Sequence, residues 1–227
     1  MPAIETRFQF IDLIKVLLMS ALLYFGFLLL FSFAPGTLEW LESLHPALYG
    51  FIQYLLQFII VFFPLWFFVV DKYSTTSEDF GFQPAKQSAF RPFLFYFIYL
   101  AVALGLGFLL KEDVANNSAI TTFGLDALGI GVGGLLIIVI APLLEEIFFR
   151  GFVYRVFTKR WPIWLASGLS AALFALAHFD LANLPTLFLF AILLNYTYEH
   201  TKSLKYCVLL HALNNIIVLA LELYFLL

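Results

Sequence analysis

The sequence predicts an all-α, polytopic transmembrane helix bundle of about seven spans, with six to eight as the range. Three observations predict it. Of the 227 residues, 63% are hydrophobic and 12% charged, against roughly a quarter charged in an average soluble domain. A mean hydropathy of +0.97 and 29 phenylalanines describe an outer surface that faces lipid, where apolar exposure carries no penalty. The apolar residues also fall into runs of about the 20 residues that a spanning helix needs, near 10–33, 46–70, 91–110, 129–157, 162–179, 184–199 and 204–226.

The first run is preceded by Arg7 and carries Lys15, with acidic Glu5 and Asp12 beside them and no A-x-A cleavage site, so it reads as a signal anchor rather than a cleaved signal peptide. Lys72, Lys86 and Arg91 follow the second run, Arg155, Lys159 and Arg160 follow the fourth, and Lys202 and Lys205 follow the sixth. The intervening loops are acidic, with Glu39 and Glu42, then Lys111 beside Glu112, Asp113 and Asp126, then Asp180. This alternation places the N-terminus in the cytoplasm and the C-terminus outside. The fourth run is longer than a span requires, and the fifth and sixth are joined by the short stretch from Asp180 to Pro185. The stretches Tyr73 to Ala89 and Lys111 to Asp126 are loop-sized, so the chain reads as one continuous membrane domain. Its N-terminal helices, 1–125, form a variable half and 126–227 a helical core.

A net charge of −3 with basic residues confined to short loops excludes a nucleic-acid partner. The single cysteine, Cys207, excludes an internal disulfide and reads as an apolar filler. Asn195 and Glu222 read as packing or interfacial residues.

Ionisable side chains within apolar runs are costly and face a protein interior. They fall in three places. In APLLEEIFFRGF, Glu146 precedes Arg150 by four residues, the favourable order for a helical acid–base pair. Glu145, about 100° around the helix, projects elsewhere and is left for chemistry. Pro142 removes a backbone donor and frees the carbonyl of Ile138, which favours a kink or a water site beside the glutamates. In FALAHFD, Phe174 and His178 share a face, and the small residues Ala166, Ser167, Gly168, Ser170, Ala171 and Ala172 admit a close neighbour, expected to be the fourth helix with its Gly129, Gly131, Gly133 and Gly134. In LLHALNNIIV, His211 and Asn215 align at i and i+4, while Asn214 points away.

Depth places these groups unequally. Glu145 lies 15 residues before Arg160 and His178 lies 17 after Trp161, so both are roughly 23–26 Å from that turn, whereas His211, nine residues beyond Lys202, is only about 14 Å deep. Straight helices therefore leave His211 short of the other two.

A carboxylate, two histidines and an amide are what peptide hydrolysis by activated water requires: a base for the water and donors for the oxyanion. No HExxH zinc motif is present, although glutamate and histidine from separate helices can bind a metal. A proton relay in a transporter, or a non-catalytic peptide-binding or immunity protein, are the competing readings.

The three stretches resemble the motifs EExxxR, FxxxH and HxxxN of the CAAX prenyl protease 2 and bacteriocin-processing (Abi) family of intramembrane glutamic endopeptidases. They read EEIFFR at Glu145 to Arg150, FALAH at Phe174 to His178 and HALNN at His211 to Asn215, in the family's order, and the resemblance covers about residues 129–219. It implies that Glu145 and His178 activate a water and that His211 and Asn215 form the oxyanion hole. Glu146, Arg150 and Phe174 would support the site, with no metal or other cofactor. The implied partners are the lipid bilayer and a membrane-associated peptide or protein substrate. The eukaryotic branch removes three residues after a prenylated cysteine; the short chain and minimal loops look like the bacterial type, which implies a bacterial plasma membrane.

Overall fold

The computed structural model describes residues 6–110 and 118–226. Glu5, Lys111, Glu112 and Asp113, used above for orientation, lie outside the described residues. Within them the chain is helical and has no strand. The helices are α1 (Phe10–Phe33), α2 (Pro35–Glu42), α3 (Pro46–Asp71), α4 (Phe90–Leu110), α5 (Ala127–Arg160), α6 (Ile163–Ala177), α7 (Leu184–Thr201) and α8 (Leu204–Leu226). All seven apolar runs are helices. Five are long and apolar enough to cross a bilayer: α1, α3, α4 over Phe90–Gly107, α5 and α8. At 15 residues α6 is shorter, and α7 carries Asn195, Glu199 and His200 along its 18. Exposed side chains such as Leu22, Phe25 and Phe33 on α1 fit an integral membrane protein in contact with lipid.

The described residues divide into two compact units, the first within Met1–Phe8, Thr75–Asp113 and Pro142–Asn214, the second within Gln9–Ser74, Val114–Ala141 and Asn215–Leu227. In the second unit α1 packs on α3, and α3 packs on the start of α5 and on a 3-10 turn at Ala119–Phe123. Ile120 and Phe123 from that turn meet Leu136 and Leu219 in a buried cluster. The glycines of α5 serve this turn. A Cβ on Gly133 would stand 2.6 Å from Ile120 and one on Gly129 2.3 Å from the backbone of Phe123 and Gly124. The expectation that these glycines receive the small-residue helix is therefore corrected, since the 3-10 turn is their neighbour; α6 does pack on α5, but on its later part, Ile147–Arg160, and packs most extensively on α7. There Asn195 donates through its Nδ2 to the Ser167 carbonyl at 3.1 Å, the interhelical role the sequence suggests.

In the first unit the loop between α3 and α4 folds over the α7–α8 turn. Gln83 Nε2 donates to the Lys202 carbonyl at 2.8 Å, Lys86 N to the Thr201 carbonyl at 2.8 Å, and Leu204 N to the Gly81 carbonyl at 2.8 Å. Ser203 Oγ donates to the Gln83 carbonyl at 2.5 Å. Gly81 has a φ of +97°, and a Cβ there would stand 2.3 Å from the Tyr198 hydroxyl, so this left-handed position admits only glycine without displacement. Arg155 donates to the Asp79 carbonyl, and Arg7 pairs with the Asp79 carboxylate at 2.8 Å. Thr201, Ser203 and Leu204 are consequently buried.

Candidate active site

The helix that carries both glutamates is not uniformly α. Within α5, Leu136–Ile140 and Ile147–Tyr154 are π-helical, and Ala141–Glu146 between them is α-helical. Such wide turns recur at functional sites. Pro142 follows the first of them by two residues. Asn215 Nδ2 donates to the Ile137 carbonyl, within that first wide turn, at 2.8 Å.

Glu146 and Arg150 are fully buried and paired, with Oε1 2.9 Å from a terminal guanidinium nitrogen. The other terminal nitrogen donates to the Ala191 carbonyl at 3.2 Å, and the guanidinium lies 4.6 Å from the Phe174 ring centroid. Charge, hydrogen bonds and an aromatic face together compensate a cation taken out of water. The i, i+4 pair is thus formed as the spacing predicts.

The two histidines are oriented alike. His178, at the C-terminal end of α6, has Nδ1 2.8 Å from the Phe174 carbonyl one turn back. His211 has Nδ1 2.8 Å from Glu146 Oε1. A carbonyl and a carboxylate paired with arginine only accept, so each Nδ1 carries a proton and each ring turns Nε2 the other way. Both point at Glu145. Its Oε2 is 3.8 Å from His178 Nε2 and 4.0 Å from His211 Nε2. These separations are too long for direct hydrogen bonds and suit a bridging water. Glu145 Oε2 is buried and makes no hydrogen bond to a protein group, although the Glu145 side chain as a whole is 30% exposed and that of His178 is 31% exposed. His211 is 5% exposed, bracketed by Phe174 at 6.0 Å and Phe190 at 5.2 Å. Among the described residues no three His, Cys, Asp or Glu side chains are placed to hold a metal ion.

Glu145, Glu146, Arg150, Phe174, His178 and His211 are therefore together in the first unit. Asn215 belongs to the second, where Ile137 is its partner. The separation in depth expected between His211 and the glutamates is not found: His211 Nδ1 lies 2.8 Å from Glu146 Oε1. Glu146 lies nine residues before Arg155 and His211 nine after Lys202, and the loop between α3 and α4 binds both Arg155 and Lys202, through Asp79 and Gln83. Phe190 and the Ala191 carbonyl carry no sequence signal that distinguishes them from other residues of an apolar helix.

Residues 128–217 match the family described as type II CAAX prenyl endopeptidase Rce1-like. All three motifs fall inside that stretch. An Escherichia coli protein known as "Uncharacterized 24.3 kDa protein" is 38% identical over 82 residues, a stretch that covers 34% of this chain and 38% of that protein's length. No solved structure matches the chain. The Rce1-like stretch takes in α5 from its first turn, all of α6 and α7 and more than half of α8; α1 to α4 lie outside it.

Proposed function

We propose that this chain is an intramembrane endopeptidase that hydrolyses a peptide bond of a membrane-associated peptide or protein, using water activated by Glu145 and His178. One observation carries the reading. Glu145 Oε2, buried and without a protein donor, faces the Nε2 atoms of His178 and His211. A carboxylate oxygen and the bare Nε2 of His178, whose proton sits on Nδ1, are both acceptors. A molecule with two O–H groups satisfies both, and water is the smallest.

The chemistry then follows. Glu145 takes one proton from the water as its oxygen attacks the scissile carbonyl, and His178 holds the second proton and orients the lone pair. The carbonyl oxygen becomes an oxyanion, which His211 stabilises as an imidazolium, its Nδ1–H held by Glu146 and its Nε2–H turned to that oxygen. Glu145 returns its proton to the departing nitrogen, giving a carboxylic acid and an amine. Glu146 anchors His211 at Nδ1, and Arg150 pairs with Glu146.

The test is cleavage by purified protein in liposomes, read by mass spectrometry on one peptide presented with and without a prenyl group. Cleavage at a single bond that survives chelators, with no metal found by elemental analysis, and that vanishes in His178→Ala is the expected result. Full cleavage by His178→Ala contradicts the assignment. Preference for the prenylated peptide would identify the lipid as part of the substrate.

A further inference from the structure

The site's immediate groups come from α5, α6, α7 and α8, yet α4 reaches it twice. Tyr96 on α4 is fully buried, and its hydroxyl donates to Asn214 Oδ1 at 3.5 Å. A buried phenol needs such a partner. Asn214 lies three residues beyond His211 on α8, about 60° from it around the helix. The second route is aromatic. Tyr96 stacks on Tyr99 with centroids 6.0 Å apart, Tyr99 lies 5.2 Å from Phe190, and Phe190 meets the His211 ring at 5.2 Å and 81°.

Glu146 anchors His211 at Nδ1 alone. One hydrogen bond leaves the ring free to swing about that atom and carry Nε2 away from Glu145. Phe190 blocks that swing on one side, and the Tyr96–Asn214 contact opposes rotation of α8, which would have the same effect. From this geometry we infer that Tyr96 is a positioning residue for His211, supplied by a helix outside the Rce1-like stretch. The inference rests on the role given to His211 above. It assigns Tyr96 no contact with substrate.

The experiment compares Tyr96→Phe, Asn214→Leu and the double variant in the purified full-length chain. Tyr96→Phe removes one oxygen and keeps the ring stack. Because misplacing a catalytic group by about 1 Å costs on the order of a hundredfold, a partial loss of restraint is expected to lower kcat about tenfold, with KM within about twofold of the parent and the melting temperature retained. Asn214→Leu is expected to do the same. The double variant should be no slower than the slower single variant, because both changes break one contact. Wild-type kcat in Tyr96→Phe, a loss confined to KM, or losses that multiply in the double variant would each overturn the inference. A readout independent of activity separates this claim from the proposed function. In protein labelled with nitrogen-15 at its four histidines, Tyr96→Phe should shift the His211 ring resonances and leave those of His45 unchanged. If the parent cleaves no peptide, the proposed hydrolysis fails; shifted His211 resonances would still support positioning by Tyr96, and unshifted ones would overturn it.

Discussion

Arg150 shows how one residue's surroundings decide whether a buried charge is tolerable. Its guanidinium is fully buried among the Glu146 carboxylate, the Ala191 carbonyl and the Phe174 ring. Arg150→Met would leave the Glu146 carboxylate buried with His211 but without its permanent cation, and breaking such pairs typically costs about 3–5 kcal/mol. Denaturant unfolding in detergent should show a loss of that size. Glu146→Gln combined with Arg150→Met should recover most of it, since no lone charge remains, while cleavage stays low because His211 has lost its anchoring carboxylate. At this scale the sequence was informative: the i, i+4 spacing and the apolar context were enough to pair Glu146 with Arg150 and to release Glu145. It could not show that both histidines use Nδ1 as the anchor. That depends on the Phe174 carbonyl and on a carboxylate 65 residues away in the chain.

Among the elements, α5 departs furthest from what its sequence suggests. Hydropathy locates the helix and is blind to a change from i→i+4 to i→i+5 bonding, because both registers bury similar side chains. Pro142 was visible as a disruption, but the wide turns on either side of Ala141–Glu146 were not. Pro142→Ala would restore a backbone N–H three residues before Glu145. The expected outcome is an equal or higher melting temperature with cleavage reduced at least threefold; unchanged cleavage would mean that the π turn is incidental to the site. The loop over the α7–α8 turn makes a second case. Gly81→Ala adds a Cβ that meets the Tyr198 hydroxyl at a φ of +97°, so the loop must lift. Limited proteolysis should then cut between residues 75 and 89 faster than in the parent. The contacts of this turn were hidden from sequence because nothing in the pattern pairs Lys202 with Glu199 or its carbonyl with the Gln83 side chain.

For the whole molecule, the apolar runs were legible because lipid imposes a composition on every spanning helix. The packing of α5 glycines on a 3-10 turn was not, since small residues announce close approach without naming the neighbour. Topology supplies a prediction here. With Cys207 buried against the Leu194 carbonyl, Lys86→Cys and Lys159→Cys should react with an impermeant maleimide from the cytoplasmic side, and Glu42→Cys from the opposite side. Reaction of all three from one side would contradict the orientation. Stability against pH offers another. The Thr76 backbone N–H, followed by the Arg7 guanidinium, holds the Asp79 carboxyl below the usual aspartate range. Its contribution is therefore complete above that range, and is lost as pH falls through the lowered value. Hydrogen exchange in residues 75–86 should accelerate relative to α7 as pH falls below the ordinary aspartate value of about 3.9.

Hydrolysis by activated water requires Glu145 as the base, and Glu145→Gln keeps size and hydrogen bonding while removing proton affinity. The single-turnover cleavage rate of the folded variant is measured beside the parent. A loss of about 10²–10⁴-fold is expected, the range that general bases contribute. A Glu145→Gln protein that cleaves within a few-fold of the parent would contradict it.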